Sequence, residues 1–224
     1  VERLRSVGLN GLILDLRNNP GGSLESAVAV AEFFLNERVV VRIKERGRPI
    51  QEIKSGSNAP FAGIPVAVLI NQGTASASEI LVGALQDHEV AVVVGERSFG
   101  KGSVQTLYSL ASEHSLLKLT VALYFTPNFH SVHKGVKCLH SGVCYHRQTD
   151  IDARAGGLRP NMEISLSLNE QLILRRLQHQ AEIEGEKYNA AVALSLDRQL
   201  RAALDVLRNR SLFKKTLSRT TEEF

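Results

Sequence analysis

Three short apolar runs limit what this chain can fold into: Gly8–Arg17, built around Gly-Leu-Ile-Leu, then Pro65–Asn71 and Val90–Val94. Each is too short for a core helix, and each is apolar at consecutive rather than alternate positions. That is the pattern of a strand buried on both faces. Turn residues close each run: Asn18-Asn19-Pro20-Gly21-Gly22 after the first, Gly73-Thr74 after the second and Gly95 after the third. Helical spacing follows the first two. Ser23 can cap a helix over Leu24–Leu35 with Ala27, Val30, Ala31 and Phe34 on one face, and a second helix is expected over Ala75–Gln86. Strands alternating with helices predict an α/β domain with mainly parallel pairing.

The remaining elements are read the same way. Arg38–Ile43 and Ser115–Phe125 are expected strands, and 45–63 a polar surface excursion. Residues 126–160 are irregular, Asn169–Glu186 and Ser195–Arg210 are helical, and the tail over 211–224 is frayed. At 224 residues, 43% apolar and 22% charged, the chain can bury a substantial core. The net charge of +4 sits largely in Arg208, Arg210, Lys214, Lys215 and Arg219, which a solvated helix face accommodates, so no nucleic acid or membrane surface is implied. No apolar run reaches the ~18 residues of a membrane span, and the opening Val-Glu-Arg-Leu-Arg is no signal peptide.

Chemistry concentrates in two places. Ser76 lies in the small-residue run Gly73-Thr74-Ala75-Ser76-Ala77-Ser78-Glu79-Ile80, after a buried strand and at the start of a helix. Lys101 lies between glycines in Phe99-Gly100-Lys101-Gly102-Ser103-Val104-Gln105. A serine hydroxyl needs an adjacent base. A lysine serves only when neutral, which takes a shift from ~10.4 to ~7–8 and therefore burial away from water. None of the seven histidines falls in either motif, so the pattern is Ser–Lys rather than Ser–His–Asp. Gln105 can hold the amine without re-protonating it. The Ala77 N–H, at a helix start, and a glycine N–H from Gly21 or Gly22 can face a developing oxyanion. Thr74, Ser76 and Ser78 also fit plain caps, and Lys101 also fits an exposed loop lysine.

Two other patterns compete. Gly95-Glu-Arg-Ser-Phe-Gly100-Lys101 matches the first seven positions of a phosphate-binding loop, but Gly102 stands where Ser or Thr should hold magnesium. Cys138 and Cys144, the only cysteines, lie among His130, His133, His140 and His146. They fit free thiols, a hairpin disulfide, or a metal site of Cys138, His140, Cys144 and His146, although the spacing is no common zinc pattern.

Taken together, the segments resemble the carboxyl-terminal processing peptidases, or tail-specific proteases. Asp15–Gly22 resembles that family's Asp-Leu-Arg-x-Asn-x-Gly-Gly turn, Ser76–Ile80 its Ser-Ala-Ser-Glu-Ile motif and Phe99–Gln105 its Phe-Gly-Lys-Gly-x-Val-Gln motif. Leu117–Ala122 with Thr126-Pro127, Gly157–Pro160 and Asp197–Leu204 are similar to later family segments. The resemblance implies a ClpP/crotonase-like fold of ββα units with C-terminal helices, in a catalytic domain over 1–210. It implies Ser76 as nucleophile, Lys101 as base, Gln105 as its partner, and no metal or organic cofactor. Substrates would be proteins with unstructured, apolar C-termini, and the full-length protein would be exported, periplasmic or equivalent. The family's usual PDZ domain, which binds substrate ends and gates the site, is expected to be absent from this stretch. A latent module that needs a PDZ domain or a partner is therefore the alternative. Residues 128–156, with both cysteines, form a longer insertion than the family's loop.

Overall fold

The computed structural model describes residues 8–110, 115–134, 136–138, 144–146, 156–183 and 190–218. The strands are β1 (Leu12–Asp15), β2 (Val39–Glu45), β3 (Gln51–Lys54), β4 (Val66–Ile70), β5 (Ala91–Gly95), β6 (Ser103–Ser109), β7 (Leu116–Phe125), β8 (Val136–Cys138), β9 (Cys144–His146) and β10 (Met162–Glu163). The helices are α1 (Leu24–Ala31), α2 (Ala77–Asp87), α3 (Leu168–Ile183), α4 (Ala190–Leu196), α5 (Arg198–Arg208) and α6 (Arg210–Ser218).

The three apolar runs become adjacent parallel strands in a sheet ordered β1-β4-β5-β10. Leu12 pairs with Val66, Val66 with Ala91, and Met162 with Val94. Every residue of β4 and β5 is buried, as consecutive apolar positions require. Alternation sorts them: Val66, Val68, Ile70 and Val93 face a core with α1 and α2, while Ala67, Leu69, Val92 and Val94 face Ala203 and Val206 of α5. Fully burying a Val, Leu or Ile side chain contributes roughly 1.5–3 kcal/mol, so this sheet is a rigid base for the turns at its strand ends. Helix α2 is buried from Ala77 through Gln86.

The expected ClpP/crotonase-like repetition of ββα units does not form. The two-faced apolar strands enter the parallel sheet one at a time, each separated by a helix or a hairpin. The half-exposed strands instead build a separate antiparallel sheet, ordered β3-β2-β7-β6. Their mixed burial suits a sheet with one wet face. The result is an α/β fold with a four-stranded parallel sheet, a four-stranded antiparallel sheet and a two-stranded antiparallel β8-β9 ladder.

Smaller departures have local causes. The surface excursion over 45–63 contains β3, whose Gln-Glu-Ile-Lys sequence is an edge strand with little apolar signal. The helix expected over Ser195–Arg210 is interrupted at Asp197, which caps α5 by accepting the Leu200 N–H. Residues 210–218, expected within a frayed tail, form α6, with Phe213 and Leu217 packed on the α5-side core. Among the described residues, no helix is long and apolar enough to cross a membrane.

Candidate active site

The carboxyl ends of β1 and β4 carry the two turns singled out by sequence, at the edge where open parallel sheets place ligand sites. The turns are locked together. Asn18 N–H donates to Asn71 Oδ1 at 2.8 Å, and Ala75 N–H donates to Asn19 O at 3.0 Å. The buried Thr74 hydroxyl donates to Leu16 O at 2.7 Å and accepts the Asn71 N–H. Gly21 has φ +89°, and a Cβ there would fall 2.6 Å from Ala75 O and 2.7 Å from Ala77 N. Only a glycine lets the first turn lie this close to Ser76.

Ser76 is the N-cap of α2, with φ 57° and ψ −121°. This is a backbone conformation that L-residues avoid, and it costs of order 1–3 kcal/mol. Ala77, the first residue of α2, has an N–H with no intrahelical acceptor, at the positive end of the helix dipole. Of the two glycines, Gly21 already gives its N–H to Asn19 Oδ1 at 3.0 Å, whereas a side chain on Gly22 would meet open space.

Sequence reading missed the group that joins the two motifs. Glu79 is fully buried, and its Oε2 accepts the Ser76 N–H at 2.9 Å and the Lys101 N–H at 2.8 Å. Its Oε1 accepts the Gly100 N–H at 2.7 Å and the Ser98 hydroxyl. One carboxylate therefore fixes the main chain of the serine turn and of the lysine loop. Phe99 N–H adds a bond to Thr74 O at 2.9 Å. The signal was present: Glu three residues after a Ser that opens a helix is a capping-box spacing.

Lys101 itself is exposed, contrary to the burial expected of it. It sits on the loop before β6 rather than on a helix or strand. Gln105 is also exposed, on β6 opposite Thr120 of β7 and beside an irregularity between Val104 and Gln105, and its side chain makes no hydrogen bond to Lys101. The phosphate-loop alternative fails on context. Lys101 leads into a strand, whereas that motif needs a helix whose N-terminus faces phosphate. The side chains of Cys138, His140, Cys144 and His146 lie outside the described residues, as does any metal site they would form.

Beneath the first turn, Arg17 is almost completely buried between two carboxylates. It contacts Asp15 at 2.6 Å and Asp197, at the cap of α5, at 2.7 Å, and donates to Gln199 Oε1 at 3.0 Å. Burial pulls the guanidinium down, but the bonds and charges of Asp15 and Asp197 outweigh it, and its pKa stands above the ordinary value. The C-terminal helices thus brace the turn from below.

The chain is similar to known proteins. The profile described as Peptidase family S41 matches residues 1–138. A carboxyl-terminal-processing protease of Synechocystis is 46% identical over 134 residues, covering 60% of this chain and 31% of that protein. Carboxyl-terminal-processing peptidase 2, chloroplastic, of Arabidopsis thaliana is 46% identical over 129 residues, covering 57% and 25%. This chain therefore spans between a quarter and a third of the length of these curated relatives. The solved photosystem II D1 C-terminal processing protease superimposes with a TM-score of 0.56 and 35% identity, over 73% of this chain and 36% of that one. A putative S41 protease from Bacteroides fragilis gives 0.55 at 18% identity, over 86% and 46%, a likeness of fold alone. These matches place this α/β architecture with that of processing proteases, in place of the ClpP/crotonase-like fold.

Proposed function

Because this chain belongs to peptidase family S41, we propose that it carries the catalytic core of a serine endopeptidase that cleaves proteins near unstructured, apolar C-termini. The observation that carries the reading is the Glu79 carboxylate, which holds the Ser76 and Lys101 main chains on one oxygen. In the proposed reaction, the neutral amine of Lys101 takes the Ser76 proton as Oγ attacks the scissile carbonyl carbon. The Ala77 N–H and a glycine N–H bind the oxyanion. Gly22 suits this better than Gly21, whose N–H is already given to Asn19. Lys101 then returns the proton to the leaving amine, and water releases the acyl group from Ser76. Gln105 would orient Lys101 once the side chains come together.

The exposure of Lys101 favours a second reading, in which this chain is latent until something dry covers the lysine. A bound substrate tail, a PDZ domain or another regulatory partner would serve. Export of the full-length protein, to the periplasm or an equivalent compartment, fits the processing-protease relatives.

The test is cleavage of an unfolded protein with an apolar tail by the purified chain, beside Ser76→Ala and Lys101→Ala. Cleavage by wild type alone supports the dyad, and cleavage surviving either substitution refutes it. Cleavage that appears only when a PDZ domain is supplied supports the latent form.

A further inference from the structure

The lysine loop is gripped from a second side, by two segments, Ser131–Lys134 and Gly156–Leu158. In the first, Ser131 bridges Phe125, Lys134 N–H donates to Gly100 O at 3.1 Å, and Lys134 Nζ lies 4.7 Å from the Phe99 ring centre. In the second, Gly157 N–H donates to Val132 O at 2.8 Å and Arg97 Nη1 donates to Gly156 O at 3.0 Å. Ser98 then binds Leu158 twice, its N–H donating to Leu158 O at 3.1 Å and its Oγ accepting the Leu158 N–H at 2.7 Å. The fit leaves no slack: a Cβ on Gly157 would fall 2.3 Å from Ser98 O.

Ser98 is only 3% exposed. Its hydroxyl uses both of its roles, accepting from Leu158 and donating to Glu79 Oε1. Its side chain thus connects the Gly156–Leu158 segment to the carboxylate holding Ser76 and Lys101. A serine present only to fill a small buried space would not need both bonds, and alanine would fill the space as well.

We propose that Ser98 is a positioning residue for the Ser76–Lys101 pair, transmitting the seating of the Gly156–Leu158 segment through Glu79 to the lysine loop. A shift of the Gly156–Leu158 segment is then felt at Lys101. The inference rests on the reading of Ser76 and Lys101 as the reacting pair.

The experiment uses the whole chain and a fluorophosphonate probe, which reports on the serine without needing the natural substrate. Ser76 Oγ forms a bond to phosphorus, the P–F bond breaks, fluoride leaves, and the serine proton passes to Lys101. Wild type, Ser76→Ala, Ser98→Ala and Gly157→Ala are compared for labelling rate and for amide hydrogen exchange at Gly100 and Lys101. Losing the buried bond should slow labelling about tenfold in Ser98→Ala and speed exchange at those two amides by a similar factor. Gly157→Ala, which displaces the segment but keeps the hydroxyl, should move both readouts the same way. If Ser76→Ala is labelled as fast as wild type, the dyad reading falls; if wild type is not labelled, the latent form is supported and the amide exchange at Gly100 and Lys101 decides the Ser98 inference. If wild type is labelled and Ser98→Ala matches it in rate and exchange, the Ser98 inference falls alone. It also falls if Gly157→Ala changes neither readout, or if exchange in Ser98→Ala rises equally in the β4 amides, which would mark general destabilisation.

Discussion

Replacing Glu79 with Gln changes one atom and should do disproportionate damage. The carboxylate accepts from four donors: the Ser76, Gly100 and Lys101 N–H groups and the Ser98 hydroxyl. A glutamine offers one oxygen and one NH2, so in either orientation two of these donors face another donor. Hydrogen bonds to a charged group contribute about 1.5–3 kcal/mol each, so two lost bonds amount to roughly 3–6 kcal/mol. Removing a charge from a fully buried position offsets part of this. A net loss of about 2–4 kcal/mol follows. With a urea m-value of about 2 kcal/mol/M, the unfolding midpoint should drop by about 1–2 M. Fluorophosphonate labelling of the folded variant, measured well below its midpoint, should also slow, because the serine turn and the lysine loop have lost their common anchor. A midpoint shift under about 0.3 M at unchanged m-value would refute the claim that this carboxylate organises the site.

Other expectations follow from the same geometry. Arg17→Met leaves Asp197 buried without its partner and should cost about 3–5 kcal/mol in denaturant unfolding, and pairing it with Asp197→Leu should restore much of that loss. Gly21→Ala forces a Cβ against Ala75 O and Ala77 N, so proteolytic kcat should fall more than tenfold, with KM moving less. Arg198 hydrogen bonds, with help from Ser167, hold the Glu170 carboxyl at about 2. The contribution of this pair should be intact above the unfolded-state value near 4.5 and disappear as pH falls toward 2. An NMR titration of Glu170 with a midpoint near 4 would contradict this.

The parts of the fold legible in sequence were those with two-sided burial. Val66–Ile70 and Ala91–Gly95 declare themselves because their positions are consecutively apolar and buried, and β1 through the Leu-Ile-Leu run ahead of Asp15. Strand β10 was not legible, since two residues carry no period and Met162–Glu163 is a strand only because β5 lies beside it. The same holds for the sheet partition: β2 and β7 read as strands, but nothing local says that they pair with each other rather than with β1 or β4. At the site, Ser76 and the glycine turn were visible as small residues at strand ends. The role of Glu79 was not, because three of its four partners come from a loop about twenty positions away and only the fold brings them together. The exposure of Lys101 was equally hidden, since a lysine between glycines reads the same whether its loop is roofed or open.

The backbone of Ser76 carries one more consequence. A residue held at φ 57° and ψ −121° is under tension that only glycine escapes. Ser76→Gly should therefore melt higher than wild type, by a few degrees for about 1 kcal/mol in a chain of this size, while losing the proposed nucleophile. The dead protein would be the sturdier one. Selection for durability alone would then erode this serine, and its retention in a lineage would be a record of use.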